Sequence, residues 1–302
     1  MSNFIRIIRI LYAQLLFLKE SGHEITLVCD KNMQNIVTHF NIDVDYLFFD
    51  FRKISSTFKI WRYIVKNEVN NVIVGTAQGC RALRFFILPF PSRINFCGII
   101  HDTEKILKSR GQKIICKKLD GYYTLAEYIY RPEKKKLKSQ YIETAFYPFC
   151  NLVDLNKKTN ETWIAIPGAV EYQRRDYDFL LTLAKHPALS ENIKFILLGN
   201  TQKRQESLYF IKKISEQSLE HRFIYFTNYI DAAVFHSYIA TSDYLFPLIH
   251  PATHDAKNYM KYKISGMFPF AQFYNKTMLA TVCFQLSKIL IIAHFFTKIL
   301  MN

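Results

Sequence analysis

One group of glycine and arginine residues stands just before a clear helical pattern. Gly168 is followed by Arg174 and Arg175, and the helical spacing of apolar residues begins at Asp176. A helix N-terminus preceded by glycine offers backbone N–H groups, and guanidinium groups pair with phosphate oxygens. The pattern therefore predicts a site for a diphosphate. The alternative is a solvated arginine pair, which the dipole of the helix disfavours at this position.

A second group of the same kind lies at the start of a helix predicted for residues 265–273. Its members are Lys261, Lys263, Ser265 and Gly266. Converging positive charge of this kind stabilises a departing phosphate without a metal ion. We therefore expect this group to help bind the same diphosphate, with solvated surface lysines as the alternative for Lys261 and Lys263.

His101 and Asp102 follow directly on a strand predicted for residues 93–100. In parallel sheets, ligands bind beyond the carboxyl ends of the strands, so we expect both residues to lie where a ligand binds. The structural alternative is that His101 hydrogen-bonds to backbone and Asp102 caps the following helix.

The stretch His250-Pro-Ala-Thr-His254-Asp255 contains two histidines that suggest a metal site. Pro251 opposes the helix that would place both imidazoles on one face, and the sequence offers no third partner. We therefore expect no metal. No glycine-rich dinucleotide loop or Walker loop is present, and we expect no other cofactor.

The composition is that of a strongly basic globular protein. The chain has 302 residues and a formal net charge of +15, and 11 basic residues lie between Lys105 and Lys138. Such a patch suits a polyanion, either nucleic acid or an anionic membrane surface, although biased residue usage would also produce it. The six cysteines form no CxxC pair and no apolar run reaches the length of a membrane span, so we expect a cytoplasmic protein.

Strand and helix patterns alternate along the chain, which predicts parallel sheets covered on both faces. We predict an α/β protein with two Rossmann-like domains in tandem, covering residues 1–150 and 151–302, with a linker within 131–160. The chain opens on a helix, Gly22 and a strand at 25–28, so the first domain is expected to lack the strand that starts a βαβ unit. Strands are predicted at 25–28, 44–49, 71–75, 93–100, 122–125, 163–166, 193–198, 223–226, 244–248 and 278–282.

Several stretches, in this order, resemble the GT-B glycosyltransferases, especially family 4-like enzymes of bacterial surface-polysaccharide synthesis. They are LLFLKESGHEITLV, IIHDTEKI, LDGYYTLAEYI, IPGAVEYQRRDYDFLLTLA, DYLFPLIH and KYKISGMFPFAQFYNKTML. The resemblance implies an acceptor-side first domain and a second domain that binds a nucleotide-sugar donor. It also implies that His101 faces the donor sugar in a retaining enzyme, or that Asp102 is the base in an inverting one.

The sequence also departs from that family. The usual first strand and its glycine-rich loop are absent before Phe4, and the positions of two characteristic glutamates hold Tyr262 and Phe270. We expect a glycosyltransferase, apparently truncated at its N-terminus, that acts on a lipid-linked or surface-glycan acceptor. We expect peripheral association with the inner membrane face and no binding of nucleic acid. The alternative is a catalytically inactive remnant that binds a nucleotide or a partner protein; an RNA-binding protein would explain the charge but lacks a recognition motif.

Overall fold

The computed structural model describes residues 2–125, 129, 138–141, 151–250 and 253–279. The chain divides into two compact units. The first unit comprises Asn3–Phe149 and the short segment Lys261–Ile264, and the second comprises Cys150–Met260 and the chain from Ser265 onward. Among the residues described, no helix combines the length and the apolar character that a bilayer crossing requires.

The first unit alternates helices and parallel strands. In chain order its elements are α1 (Ser2–Glu20), β1 (Thr26–Asp30), α2 (Gln34–Val37), β2 (Asp45–Phe49), α3 (Ile54–Lys66), β3 (Asn71–Val74), α4 (Gly79–Phe86), β4 (Asn95–Ile100), α5 (Glu104–Lys108), α6 (Arg110–Lys118), β5 (Gly121–Thr124) and β6 (Lys138–Tyr141). The predicted glycine stop of the first helix is confirmed, since Gly22 has a φ of 78°, a conformation that glycine adopts at little cost.

The strands of this unit form two sheets. Strands β1 and β2 pair with each other, and the other four form a sheet in the order β3-β4-β5-β6. The expectation of strands buried on both faces is wrong for β3, because it is an edge strand whose Ile73 is 42% exposed. Strand β4, inside the sheet, is largely buried as expected.

Three local predictions in this unit need correction. The predicted linker contains a strand, because β6 pairs in parallel with β5. The helix expected to follow Asp102 is two helices: Ser109 interrupts it and caps α6 by accepting a hydrogen bond from the N–H of Gln112 at 3.3 Å. Helical turns also occupy 31–40, where no helix was predicted.

The second unit is built on a single parallel sheet. Its elements are β7 (Thr162–Pro167), α7 (Tyr177–Ala184), β8 (Ile193–Asn200), α8 (Gln205–Glu216), β9 (Phe223–Phe226), α9 (Ala232–Thr241), β10 (Tyr244–Leu245), α10 (Ala256–Lys261), α11 (Met267–Phe273) and β11 (Thr277–Met278). The strand order is β11-β10-β7-β8-β9. The chain therefore extends the sheet from β7 in one direction, through β8 and β9, and then in the other, through β10 and β11.

The core of this unit explains why its sequence pattern was the clearer one. Strands β7 and β8 are buried over most of their length, and Tyr177, Phe195 and Phe210 are fully buried around them. Burial of each such side chain contributes about 1.5–3 kcal/mol relative to exposure. Asp176 caps α7 as its side chain accepts from the N–H of Phe179 at 2.9 Å.

The predictions for the later part of this unit were less accurate. The strand predicted at 244–248 is only Tyr244–Leu245, because Leu248 has a φ of 54° and cannot continue the strand. Helix α10 lies between the strand predicted at 244–248 and the helix predicted at 265–273, where no helix was predicted. The last predicted strand is Thr277–Met278 in the structure, and its remaining residues from 280 onward lie outside the described part of the chain.

Candidate functional site

The carboxyl ends of β7 and β10 lie side by side in the second unit, since these strands pair in parallel. The chain leaves the sheet in opposite directions after them, which makes this the point where the strand order reverses. In open α/β sheets the ligand crevice forms at such a reversal, beyond the carboxyl ends of the strands. The loop 168–176 after β7 and the residues 246–250 after β10 border it.

Gly168 follows β7 directly and allows a very close approach of backbone. Its φ is 111°, and a Cβ added to Gly199, at the end of β8, would lie 2.4 Å from the carbonyl oxygen of Gly168. The two strand ends therefore contact each other through their main chains. This approach turns the Gly168 loop over the carboxyl edge of the sheet, and a side chain at Gly199 would prevent it.

The guanidinium group of Arg175 stabilises this turn through contacts with neighbouring residues. One guanidinium nitrogen donates to the carbonyl of Pro167, and another lies 3.3 Å from the hydroxyl of Tyr177. Burial raises the pKa of Tyr177, so this phenol stays neutral. A Cβ on Gly168 would approach the Arg175 guanidinium to 2.9 Å. The structure thus places Arg175 against its own loop, whereas the sequence predicted that it binds phosphate.

Arg174 points to a different set of partners. Its Nε lies 2.9 Å from a carboxylate oxygen of Glu171, and the other oxygen of Glu171 is 2.8 Å from Arg204. The Glu171 side chain is only 10% exposed, whereas those of Arg174 and Arg204 are 39% and 53% exposed. A buried carboxylate thus holds two guanidinium groups beside each other at the edge where β7 and β8 end.

The sequence interpretation missed Arg204. It follows β8 in the stretch Gln202-Lys203-Arg204 and immediately precedes α8. This is the same signal that identified Arg174: basic residues between a buried strand and a helix start. Arg204 lies beside Arg174 because β7 pairs with β8, which brings the loops after these two strands together.

Backbone hydrogen bonds join the loop after β10 to the loop after β7. The carbonyl of Leu248 accepts from the N–H of Asp176 at 3.0 Å, and the carbonyl of Gln173 accepts from the N–H of Asp255 at 3.1 Å. Leu248 adopts a left-handed conformation, which costs a branched side chain about 1–2 kcal/mol. Such strain clusters at binding sites, where surrounding contacts maintain it.

The histidines of this loop do not form a shared cluster. His250 Nδ1 lies 3.9 Å from a carboxylate oxygen of Asp176, and His254 Nδ1 lies 3.5 Å from Asp255. Within the residues that the structure describes, no group of three or more His, Cys, Asp or Glu side chains is arranged to hold a metal ion.

The second predicted anion-binding group is divided between the two units. Lys261 lies over the ring of Tyr262 at 5.7 Å, and Lys263 lies 3.3 Å from a carboxylate oxygen of Asp102, all within the first unit. Ser265 is buried and Gly266 is the N-cap of α11, both in the second unit. The helix starts at Met267 rather than at Ser265 and has only seven residues, so the prediction of a longer helix here is wrong.

His101 and Asp102 end β4 in the first unit and are tightly fixed. His101 Nε2 lies 3.0 Å from the carbonyl of Gly75, and Asp102 Oδ1 accepts from the N–H of Glu104 at 3.2 Å. These are the contacts of the structural alternative: a histidine bonded to backbone and an aspartate at a helix start. Asp102 Oδ2 is the oxygen that faces Lys263.

Gln78 organises this strand end, and the sequence interpretation did not identify it. Its side-chain oxygen accepts from the N–H groups of His101 and Asp102, at 3.0 and 3.2 Å. Its amide nitrogen donates to the carbonyl of Asp102 at 2.7 Å. One side chain therefore bonds to three backbone groups and sets the direction in which both predicted catalytic residues point.

Comparisons with known proteins give structural matches only. No family model and no curated protein sequence matches the chain. The structure of Anabaena Alr3699/HepE in complex with UDP matches with a TM-score of 0.59 and 11% identity, over 84% of this chain and 71% of that one. A Listeria monocytogenes protein assigned as a UDP-N-acetylglucosamine 2-epimerase matches with a TM-score of 0.53 and 10% identity, over 80% of this chain and 70% of that one.

Matches of this coverage extend across both units, since neither unit alone makes up four-fifths of the chain. The predicted α/β class is confirmed, with parallel strands in both units. The chain has the GT-B glycosyltransferase fold of two Rossmann-like domains in tandem.

Proposed function

We propose that the protein is a glycosyltransferase that uses a nucleotide-sugar donor, bound at the strand reversal of the second unit. The observation that carries this proposal is the meeting of the loops after β7 and β10 at that reversal. The GT-B fold supports it, as does the UDP bound to the structurally similar Anabaena protein. We expect UDP to be the nucleotide.

The donor diphosphate would be held by Arg174 and Arg204 together with the backbone of the Gly168 loop. Each guanidinium carries five N–H donors, and Glu171 contacts one nitrogen of each. The remaining donors would bind phosphate oxygens, and two adjacent positive charges would stabilise the nucleoside diphosphate as it leaves. We propose that this replaces a metal ion. Under this proposal Arg175 shapes the loop instead of binding phosphate.

The acceptor would be bound by the first unit, where Asp102 and His101 are the proposed catalytic residues. A carboxylate at this strand end can accept the proton of an acceptor hydroxyl in an inverting reaction. We propose a lipid-linked or surface-glycan acceptor at the cytosolic face of a membrane.

Tyr262 and Phe270 occupy the positions of the two glutamates that are characteristic of family 4-like glycosyltransferases. Phe270 is 7% exposed and packs against the rings of Phe235 and His236, and Tyr262 supplies a backbone carbonyl to Thr103. Neither residue has a carboxylate for sugar hydroxyls. Other groups must therefore bind the sugar, or the protein is the inactive remnant named above.

Calorimetric titration with UDP-, GDP-, CMP- and dTDP-sugars tests the donor site. We expect saturable binding of a UDP-sugar that falls by about tenfold or more in Arg174→Ala, because a hydrogen-bonded charge contributes about 1.5–3 kcal/mol. Lys212→Ala is the matched control, since it removes an exposed cation of α8 in the same unit. Absence of binding by the folded chain to all four donors would contradict the proposal and support the inactive alternative.

Turnover is tested next on the same protein. Release of UDP in the presence of lipid-linked sugar acceptors should depend on the acceptor and should be lost in Asp102→Asn. Donor binding without any acceptor-dependent release would leave a nucleotide-binding protein and would contradict the proposed activity.

A further inference from the structure

Helices α3, α4 and α6 form one layer on the four-stranded sheet of the first unit. Their inward side chains enter a common core, to which Ile64, Phe86 and Ile115 belong. Neighbouring helices contact closely: a Cβ on Gly111 of α6 would lie 3.2 Å from Leu83 of α4. The Trp61 indole of α3 donates to the carbonyl of Pro89, just after α4, at 2.6 Å. The outward sides of the three helices therefore make one continuous surface, which we call the basic helical face.

All the charges on these helices are positive. They contain no Asp or Glu, and their basic residues are Lys59, Arg62 and Lys66 in α3, Arg81 and Arg84 in α4, and Arg110, Lys113, Lys117 and Lys118 in α6. Eight of the nine are exposed, and Arg84 is half-buried. Within the described part of the chain, none of these nine residues belongs to an ion pair. The ion pairs described in the first unit are formed by other residues.

The same face carries large apolar side chains in water. Ile54 and Phe58, one helical turn apart on α3, are 60% and 52% exposed. Ile87, directly after α4, is 63% exposed, and Ile114 of α6 is 45% exposed. Phe58 lies one helical turn from Arg62 on α3, and Ile114 lies one turn from Arg110 and Lys118 on α6. Exposed apolar groups interspersed with lysine and arginine are typical of surfaces that lie in a membrane interface.

We propose that the basic helical face docks the protein on a bilayer that contains anionic lipids. The lysines and arginines are attracted to the lipid phosphates, and Ile54, Phe58, Ile87 and Ile114 enter the boundary between headgroups and acyl chains. The phosphate backbone of a nucleic acid would engage the cations but would leave these apolar side chains in water, so we favour lipid. The inference rests on the proposed function only in that a lipid-linked acceptor would be met at this surface.

This assignment differs from what the sequence alone indicated. The basic patch recognised there runs from Lys105 to Lys138 and includes only α6 of the three helices. The fold adds α3 and α4, which are distant in sequence, and with them the exposed apolar groups. Helix α8 in the second unit offers a contrast: it exposes Leu208 and Tyr209 at 51% and 53%, but its lysines pair with Glu216 and Asp178.

Co-sedimentation of the full chain with vesicles tests the proposal. We expect binding to phosphatidylcholine vesicles that contain about 30% phosphatidylglycerol, little binding to phosphatidylcholine alone, and weakening from about 0.1 M to about 0.5 M salt. Two variants of the face are compared with wild type. The first variant loses two apolar groups through Ile54→Ser and Phe58→Ser. The second variant loses four positive charges through Arg62→Gln, Lys66→Gln, Lys113→Gln and Lys117→Gln. Each should reduce binding by about tenfold or more.

The matched control is Leu208→Ser with Tyr209→Ser on α8, which changes equally exposed residues and should bind vesicles like wild type. An equal loss in this control, equal binding to neutral vesicles, or RNA binding that displaces the vesicles would overturn the proposal. UDP binding is measured on every variant. If UDP binding is absent while anionic vesicles still bind through this face, the proposed function fails and the docking inference stands. If UDP binds normally and the face variants still sediment with vesicles, only the docking inference fails.

Discussion

The two units use parallel sheets in different ways. In the second unit one sheet of five strands reverses its order between β7 and β10, and its inner strands are buried. In the first unit the four-stranded sheet runs β3-β4-β5-β6 without reversal, and its edge strand is half-exposed. A crevice beyond the strand ends arises at a reversal. The comparison therefore supports our proposal that the second unit binds the nucleotide and that proton transfer takes place at a single strand end of the first.

The largest expected effect concerns the chemistry assigned to the first unit. Asp102→Asn should lower the rate of sugar transfer about 10²- to 10³-fold, as expected on loss of a general base. Asparagine keeps a hydrogen-bond acceptor for the N–H of Glu104, so folding should be retained. Steady-state kinetics and a thermal melt measure the two effects.

Glu104→Gln is the control for that experiment, because it removes a neighbouring carboxylate that pairs with Lys108 on the surface. Transfer by Asp102→Asn within a factor of about two of wild type would reduce Asp102 to a helix cap. The proposed role of the first unit in proton transfer would then be wrong.

The next effect concerns a glycine at the carboxyl end of a strand in each unit. Gly199→Ala should lower the free energy of unfolding by about 2–3 kcal/mol, because its Cβ would meet backbone at 2.4 Å. Gly75→Ala, after β3, should change it by less than about 0.5 kcal/mol, because no atom lies within 4 Å of its Cβ.

Urea unfolding followed by tryptophan fluorescence can measure the two glycine variants separately. The chain has one tryptophan in each unit, Trp61 and Trp163. Trp163→Phe therefore leaves a reporter of the first unit, and Trp61→Phe leaves a reporter of the second. Equal destabilisation by the two glycine substitutions would show that the close approach of β7 and β8 is not specially constrained.

A smaller effect on the stability of the first unit should appear at alkaline pH. Burial raises the pKa of the Cys29 thiol in the first unit to about 12, from an ordinary value of 9.0. Between these values the unfolded chain loses the proton and the folded chain keeps it. Stability therefore falls as pH rises above 9.0, by at most about 1.4 kcal/mol per pH unit.

The second unit should respond at higher pH, because the phenol of Tyr177, which is buried in its core, has an ordinary pKa of 10.0. Urea midpoints between neutral pH and pH 10, read from Trp61 in Trp163→Phe and in Trp163→Phe with Cys29→Ala, measure the contribution of the thiol. Identical pH slopes in the two proteins would contradict it.

Local signals were sufficient to predict much of the second unit. The helix start at Asp176, the turn at Gly168 and the buried strands at 163–166 and 193–198 follow from neighbouring residues, and the structure contains all of them. In the first unit, β6 was missed because its sequence, KSQY, is polar and becomes a strand only by pairing with β5. Tertiary pairing overrides weak local preference in such cases.

The site residues divide in the same way. Arg174 could be identified from its place before a helix, but its pairing with Glu171 and proximity to Arg204 required the order of β7 and β8. Gln78 could not be identified, because nothing in its sequence neighbourhood indicates contact with His101, 23 residues away. Contacts of this kind depend on the strand order, which local patterns do not specify.

Amide hydrogen exchange with and without saturating UDP tests the central claim most directly. The account predicts slower exchange in peptides covering residues 168–176 and 246–250, because the nucleotide would lie on the loops after β7 and β10. Peptides covering 71–79 in the first unit should exchange unchanged. Protection confined to the first unit, or no protection in either loop at a UDP concentration that saturates binding, would contradict the assignment of the nucleotide to this strand reversal.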